Sequence, residues 1–164
     1  MRLHDLISAV AESIKKPNVQ HRSVVGDIKQ VTIPSTIIKM CPMYLDTSST
    51  HIDKYPELDS KIDTFLNFKV ENGIKPAGPT DKLSTINRPF ATEIPGMRKV
   101  HLTFDISLWY TISGVNPRVI KLYAVLTHDE SGTGQPEKIP KQKSVAKKMA
   151  SQDNWQSPEV QITK

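Results

Sequence analysis

The sequence predicts an α+β domain, in which helices pack on one face of a small antiparallel sheet. Three stretches rich in β-branched and aromatic residues follow one another closely at residues 97–104, 106–113 and 118–128, separated by short connections. An earlier β-branched stretch covers residues 31–40, and segments with helical spacing lie on both sides of it. The predicted sheet is therefore a meander of three strands plus an N-terminal strand.

Residues 1–30 predict a helical extension followed by a linker. Apolar residues recur at helical spacing from Leu3 to Ile14, and Pro17 ends the pattern. The polar residues after Pro17 predict the linker. The strand that follows contains Pro34, which confines the strand to the edge of a sheet or to a later start.

A further helical segment is predicted between the N-terminal strand and the meander. Leu58, Ile62 and Phe65 mark one apolar face of this helix, Pro56 suits its first turn and Gly73 suits its end. This amphipathic pattern indicates that the helix packs on the sheet.

Three segments outside these elements complete the organisation of the chain. The connection at residues 74–90 is rich in Pro and Gly, and its length is typical of functional loops. Residues 139–152, IPKQKSVAKKMASQ, predict a basic C-terminal helix. We assign residues 31–150 to the α+β domain and residues 151–164 to a flexible tail.

Composition restricts the class of protein. A chain of 164 residues is long enough for one domain with a proper core. No apolar run reaches the roughly 18–20 residues that cross a bilayer, so we expect no membrane partner and a soluble, cytoplasmic protein. The single cysteine, Cys41, excludes an internal disulfide framework and a cysteine-built zinc site.

The net charge of +5 is concentrated in the second half of the chain. Residues 1–80 carry ten basic and nine acidic side chains, whereas residues 81–150 carry eleven basic and six acidic ones. Clustered Lys and Arg bind polyanions because binding releases phosphate counterions. The excess indicates either a polyanionic partner or simply a solvated surface.

Two histidines and an aspartate predict acid–base chemistry in the meander. In an extended strand, His101 and Asp105 lie on the same face, because side chains alternate with period two. His128 lies at the end of the last predicted strand, at a position where functional groups become exposed. One imidazole can accept a proton while the other donates one. The competing interpretation is that each histidine is an ordinary polar residue at a strand end.

RNA cleavage suits this set of groups, and it requires no metal or other cofactor. Arg98, Lys99 and Lys121 are candidates to neutralise the charge that develops on a phosphate. Tyr110 is a candidate to stack on a base or to contact a phosphate. The basic helix adds candidate RNA-binding residues at Lys141, Lys143, Lys147 and Lys148, although a merely solvated helix has the same composition.

The residues RKVHLTFDISLWY at 98–110 and VIKLYAVLTH at 119–128 resemble a signature of the RelE/ParE toxin superfamily, and within it most resemble YafQ-like mRNA interferases. The resemblance implies a RelE-like fold for the domain, to which the N-terminal helix and the basic C-terminal helix are additions. It also implies that His101, Asp105 and His128 are catalytic, with Arg98 and Lys99 as phosphate contacts. Members of the family cleave mRNA at the ribosome without a metal and are neutralised by an antitoxin protein.

Two alternatives remain open at the level of sequence. No aromatic residue follows His128 by a few positions as it commonly does in the family, which favours a non-catalytic module that binds RNA, the ribosome or a protein. The second alternative is a mononuclear metal site, since two histidines and a carboxylate can hold iron. The residues of this site would be His101, Asp105 and His128.

Overall fold

The computed structural model describes residues 35–85, 87–134 and 136–157. The predicted N-terminal helix, its linker and the first part of the predicted N-terminal strand lie outside the described residues. Within these residues the protein is an α+β fold, as predicted, with a five-stranded sheet.

The five strands are arranged in the order β1-β5-β4-β3-β2. The predicted meander is confirmed, because β3, β4 and β5 pair antiparallel in sequence order. A short strand, β2, extends the sheet beyond β3. The bounds are β1 Thr36–Met40, β2 Lys82–Leu83, β3 Arg98–His101, β4 Ile106–Ser113 and β5 Arg118–Thr127.

The prediction of a purely antiparallel sheet is wrong, because β1 pairs parallel with β5. The register runs from Thr36 opposite Arg118 to Met40 opposite Leu122. Tight turns force neighbouring strands to be antiparallel, but β1 and β5 are joined through helices and the rest of the sheet. A long connection of this kind permits a parallel pair.

The described helices have the bounds α1 Pro42–Lys54, α2 Glu57–Asn72, α3 Pro89–Glu93, α4 His128–Ser131 and α5 Ile139–Ala150, with a 3-10 turn at Pro136–Lys138. The predictions of α2 and of the basic helix α5 are confirmed. Helix α2 buries Leu58, Ile62 and Phe65, and its C-cap is Gly73, whose φ of 64° suits glycine. None of the described helices has the length and apolarity needed to span a bilayer.

Helices cover both faces of the sheet, so the prediction that they pack on one face is wrong. Trp109 and Tyr110 are neighbours in β4 and therefore point to opposite faces. Phe65 of α2 packs edge-on against Tyr110, with ring centroids 4.9 Å apart. Phe90 of α3 stacks on Trp109 at 4.2 Å. Each face thus has its own apolar layer, and both aromatic residues of β4 are buried.

Helix α1 covers the part of β5 that extends beyond the end of β1. The hydroxyl of Thr47 accepts a hydrogen bond from the backbone N–H of Val125 at 2.9 Å. This contact satisfies a backbone group that would otherwise be exposed at the strand edge. The C-terminal end of β5, which leads to Thr127 and then His128, is therefore held in place.

Part of the predicted flexible tail is attached to the domain. Gln156 exchanges two backbone hydrogen bonds with Met40, each 2.8 Å long. Trp155 packs edge-on against Tyr123, with ring centroids 4.9 Å apart. These contacts correct the assignment for residues 151–157, because the segment gives β1 a backbone partner and covers an aromatic ring.

A buried ionic network connects α2 to the long loop before β2. The ammonium of Lys69 lies 2.6 Å from the carboxylate of Asp81, and both side chains have no exposed surface. The same carboxylate accepts hydrogen bonds from the hydroxyl of Tyr110 and, at 2.8 Å, from the backbone N–H of Ala77. Arg98 completes the network with its Nε 3.5 Å from Asp81. Charges removed from water are tolerated only when they are paired and hydrogen-bonded in this way.

Burial acts on this pair in opposite senses for the two partners. The pKa of Lys69 is lowered, mainly because burial disfavours the ammonium. Burial would raise the pKa of Asp81, but hydrogen bonds from Lys69, Tyr110 and Ala77 outweigh burial and lower the pKa. Asp81 is therefore the charged centre on which the other groups converge.

Asp81→Asn is expected to lower the free energy of unfolding by about 3–5 kcal/mol, because the variant leaves Lys69 without a counter-charge in the core. Lys69→Met should cost less, because Arg98 and Tyr110 still contact the carboxylate. Urea unfolding followed by circular dichroism measures both losses, with Lys39→Met on the opposite edge strand as a control. Equal stability of Asp81→Asn and wild type would contradict this account of the network.

Candidate active site

His101 and His128 lie side by side at one end of the sheet. His101 is the last residue of β3, and His128 directly follows β5. Both strands flank β4 in the meander, so they run in the same direction and end at the same edge. The two imidazole rings have centroids 5.2 Å apart and an interplanar angle of 62°.

Asp105 joins this pair from the turn that connects β3 to β4. Its Oδ1 lies 3.7 Å from Nδ1 of His128 and accepts a 3.3 Å hydrogen bond from the backbone N–H of His128. The backbone carbonyl of Asp105 accepts a second bond from the same N–H, at 3.0 Å. His128 and Asp105 remain partly exposed, with 37% and 57% of their side-chain surfaces accessible. The three residues predicted as catalytic are thus brought together on an accessible surface.

A capping box fixes the turn that presents His128. The Thr127 side chain accepts from the backbone N–H of Glu130 at 3.1 Å, and Glu130 accepts from the backbone N–H of Thr127 at 2.8 Å. The carboxylate of Glu130 also lies 2.7 Å from Nε2 of His51 on α1. Burial would raise the pKa of Glu130, but these backbone and histidine contacts outweigh burial and lower the pKa. His128, the first residue of α4, is therefore held by α1 as well as by β5.

The long loop before β2 supports His101. The hydroxyl of Thr80 accepts a 3.2 Å hydrogen bond from the backbone N–H of His101. The next residue, Asp81, is the centre of the buried ionic network. Because that network holds the loop against α2, it also fixes the end of β3 from which His101 projects.

The two histidines have different electrostatic surroundings. The pKa of His101 is lowered from its ordinary value of 6.5, first by partial burial and then by the positive charges of Lys99 and of protonated His128. Lys99 is two positions before His101 on the same strand face. Burial in turn lowers the pKa of Lys99, whose ammonium lies 5.4 Å from the centre of the Trp109 ring. His101 is therefore biased towards the neutral form, while His128 has a carboxylate beside it.

Basic side chains line two adjacent cavities, the first of which lies on the Trp109 side of the sheet. The first cavity, of about 350 Å³, is lined by Lys82, Arg88 and Lys99 among others. The second, of about 660 Å³, is lined by Arg88, by Lys143 and Lys147 of α5, and by one acidic residue, Glu93. Arg88 belongs to both cavities, so the basic residues form a continuous surface that extends from β3 to α5. We call these five residues the basic surface.

Arg98 and Tyr110 do not belong to this surface, which corrects their assignment to RNA. Tyr110 has no exposed surface, and its hydroxyl donates to Asp81 in the core. The Nε of Arg98 donates to the Tyr110 hydroxyl at 3.1 Å on the same face. Lys99 and His101 alternate with Arg98 along β3, so they lie on the other face. Arg98 and Tyr110 are therefore parts of the ionic network.

The remaining predicted RNA-binding lysines lie elsewhere. Lys121 precedes His128 by seven positions, which corresponds to about 20 Å along an extended strand, and its ammonium lies 5.0 Å from the centre of the Trp155 ring. It is therefore not a phosphate contact of the histidine pair. Lys141 and Lys148 are exposed on α5, but at 100° per residue they point away from Lys143 and Lys147.

Sequence reasoning did not identify Lys82, Arg88, His51 or Glu130 as parts of this region. The length of the loop at residues 74–90 was a signal for the first two, because such loops are often functional. The capping box had its own signal in the spacing of Thr127 and Glu130 before a short helix. No local pattern links His51 to Glu130, since the pair depends on the packing of α1 against β5.

The comparison with known proteins adds no relative. No family model, curated protein or solved structure matches this chain. The resemblance to the RelE/ParE superfamily therefore remains a prediction that depends on the residues quoted for it.

Within the described ranges, no group of three or more His, Cys, Asp or Glu residues is arranged to hold a metal ion. The alternative of an iron site at His101, Asp105 and His128 thus has no geometric support.

The pKa of His101 is expected to lie below 6.5, and Lys99→Met is expected to raise it, because the variant removes a positive charge that disfavours the imidazolium. The measurement is an NMR titration of the imidazole resonances of both proteins. Lys39→Met removes a lysine from the far edge strand and should leave the titration of His101 unchanged. A wild-type pKa at or above 6.5 would contradict the proposed surroundings of His101.

Proposed function

We propose that this protein is a metal-independent endoribonuclease that uses His101 and His128 as an acid–base pair. The observation that carries the proposal is the contact between the two imidazoles, whose centroids are 5.2 Å apart in unequal electrostatic surroundings. Acid–base catalysis needs one group that is neutral and one that is protonated at the same pH. The lowered pKa of His101 supports the role of base for this residue.

The reaction follows from the roles of the two histidines. Neutral His101 removes the proton from a ribose 2′-OH, and the 2′-oxygen attacks the adjacent phosphorus. His128, in the imidazolium form beside Asp105, donates its proton to the departing 5′-oxygen. The P–O5′ bond breaks as the P–O2′ bond forms, so the products are a 2′,3′-cyclic phosphate and a free 5′-OH. After the step His101 carries the proton of the 2′-OH and His128 is neutral, so the two histidines have exchanged protonation states.

Asp105 and Lys99 have supporting roles in this reaction. The carboxylate of Asp105 holds His128 through the ring nitrogen and the backbone N–H, so it orients the imidazolium that donates the proton. Lys99 lies on the His101 side of the sheet and supplies positive charge where negative charge develops on the phosphate. A partly buried lysine acts more strongly in this role than a fully solvated one.

The substrate that the residues favour is mRNA, with the ribosome as the site of cleavage. The support for this finer assignment is the signature at residues 98–128 that resembles YafQ-like mRNA interferases. Under the same assignment the protein acts in the cytoplasm and is neutralised by an antitoxin protein. The basic surface suits a substrate of this kind, because phosphate contacts by Lys and Arg supply much of the affinity for nucleic acids.

The test is cleavage of a translated mRNA in a purified translation system, mapped by primer extension. Wild type should produce discrete cuts, whereas His128→Ala and His101→Ala should reduce cleavage by at least 100-fold, since general acid–base catalysis contributes about 10²–10⁴-fold. Lys39→Gln serves as a surface control and should cleave at the wild-type rate. Thermal unfolding confirms that each variant is folded. Unreduced cleavage by the double variant His101→Ala/His128→Ala would contradict the mechanism.

A second candidate function is binding of RNA or the ribosome without turnover. The observation that favours it is that the two cavities lined by the basic surface, which includes Lys82, Arg88 and Lys143, are lined by neither histidine. This function predicts RNA affinity that falls with salt and does not change in His101→Ala/His128→Ala. Co-sedimentation of wild type with ribosomes, without any cuts in the mRNA, would favour the binding function over the nuclease.

A further inference from the structure

We propose that the 350 Å³ cavity beside β3 is a subsite that binds one nucleotide of a single-stranded RNA, next to the scissile phosphate. The inference rests on the proposed function for the identity of the polymer, but binding to the cavity can be measured without cleavage. The volume lies within the range of about 300–1,000 Å³ that is usual for small-molecule sites. The cavity is therefore large enough for a phosphate together with its sugar.

The position of the cavity connects it to both histidines. Lys99 lines the cavity and lies two residues before His101 on the same strand face, which corresponds to about 7 Å along β3. Thr133 and Gly134 also line the cavity, and they follow the short helix that begins at His128. An RNA strand whose scissile phosphate lies at the histidine pair therefore reaches the cavity with an adjacent nucleotide.

The charge of the cavity selects an anionic ligand. Lys82 and Arg88 are exposed, Lys99 is half-buried, and no acidic residue is among the described residues that line the cavity. The burial that lowers the pKa of Lys99 disfavours its ammonium. A phosphate at this position would compensate for that loss of hydration by pairing with the charge.

Two further features suit a nucleotide rather than a bare anion. Leu83 on the edge strand β2 lines the cavity with 60% of its surface exposed, so a ribose or a base can cover it. Trp109 also lines the cavity, and its indole N–H is buried without an acceptor among the described residues. A buried donor without an acceptor is unfavourable, so an oxygen of the ligand that reached this N–H would gain a hydrogen bond.

The experiment uses the full chain with Trp155→Phe, which leaves Trp109 as the single tryptophan. Titration with uridine 3′-monophosphate should change the Trp109 fluorescence, because the Lys99 ammonium lies against its ring. Arg88→Gln and Lys82→Gln should each weaken this binding about tenfold, as expected for loss of one charge-assisted contact. Both side chains are exposed, so the variants should unfold at the wild-type temperature. Lys39→Gln, on the far edge strand, should bind like wild type.

Three outcomes would overturn the subsite. Unchanged affinity in the double variant Lys82→Gln/Arg88→Gln would place the nucleotide elsewhere. If the nucleotide bound without a change in fluorescence, its binding site would not lie beside Trp109. Inorganic phosphate that binds as tightly as the nucleotide would reduce the cavity to a general anion site. Each outcome is independent of the nuclease proposal, which is tested separately by the cleavage activity of wild type and of His101→Ala/His128→Ala.

Discussion

The structure depends on one buried ion pair, between Lys69 and Asp81. Lys69 belongs to α2, and Asp81 ends a long loop, so the pair attaches that loop to the helical layer. The two residues on either side of Asp81 in the sequence both contribute to the site. Thr80 supports the backbone of His101, and Lys82 lines the 350 Å³ cavity. A solvent-exposed pair would hold the loop weakly. Burial makes it costly to separate Lys69 from Asp81, because separation would leave an unpaired charge in the core.

The second histidine is held by a different part of the molecule. His128 depends on the capping box of Thr127 and Glu130, and through Glu130 on His51 of α1. His101 therefore belongs to the part held by α2, and His128 to the part held by α1. The two imidazoles meet because β3 and β5 end at the same edge of the sheet. This separate support allows each histidine to have its own electrostatic surroundings, which an acid–base pair requires.

Local patterns predicted much of the fold, and long-range packing accounts for what they missed. Strand β4 coincides with the predicted stretch at residues 106–113, because alternation and turn residues are local signals. Alternation also showed that Trp109 and Tyr110 face opposite ways. It could not show that helices cover both faces, so Tyr110 was assigned to RNA although it is buried. The parallel pairing of β1 and the partner of Asp81 depend on residues far apart in sequence.

The histidines were predicted as a pair because His101 shares a strand face with Asp105 and His128 lies at the exposed end of the last predicted strand. The basic surface was only partly predicted. Lys143 and Lys147 follow from the composition of the basic helix, whereas Lys82 and Arg88 lie in a loop whose path cannot be predicted from local sequence patterns.

The central claim is that the pair of His101 and His128 activates a ribose 2′-OH. The most direct test is the chemistry of the product ends, determined on an RNA substrate and on the same substrate with a single 2′-deoxyribose at the cut. The account predicts 2′,3′-cyclic phosphate and 5′-OH ends, and no cleavage at the deoxyribose. Products with 5′-phosphate ends, or cleavage at the deoxyribose, would contradict it.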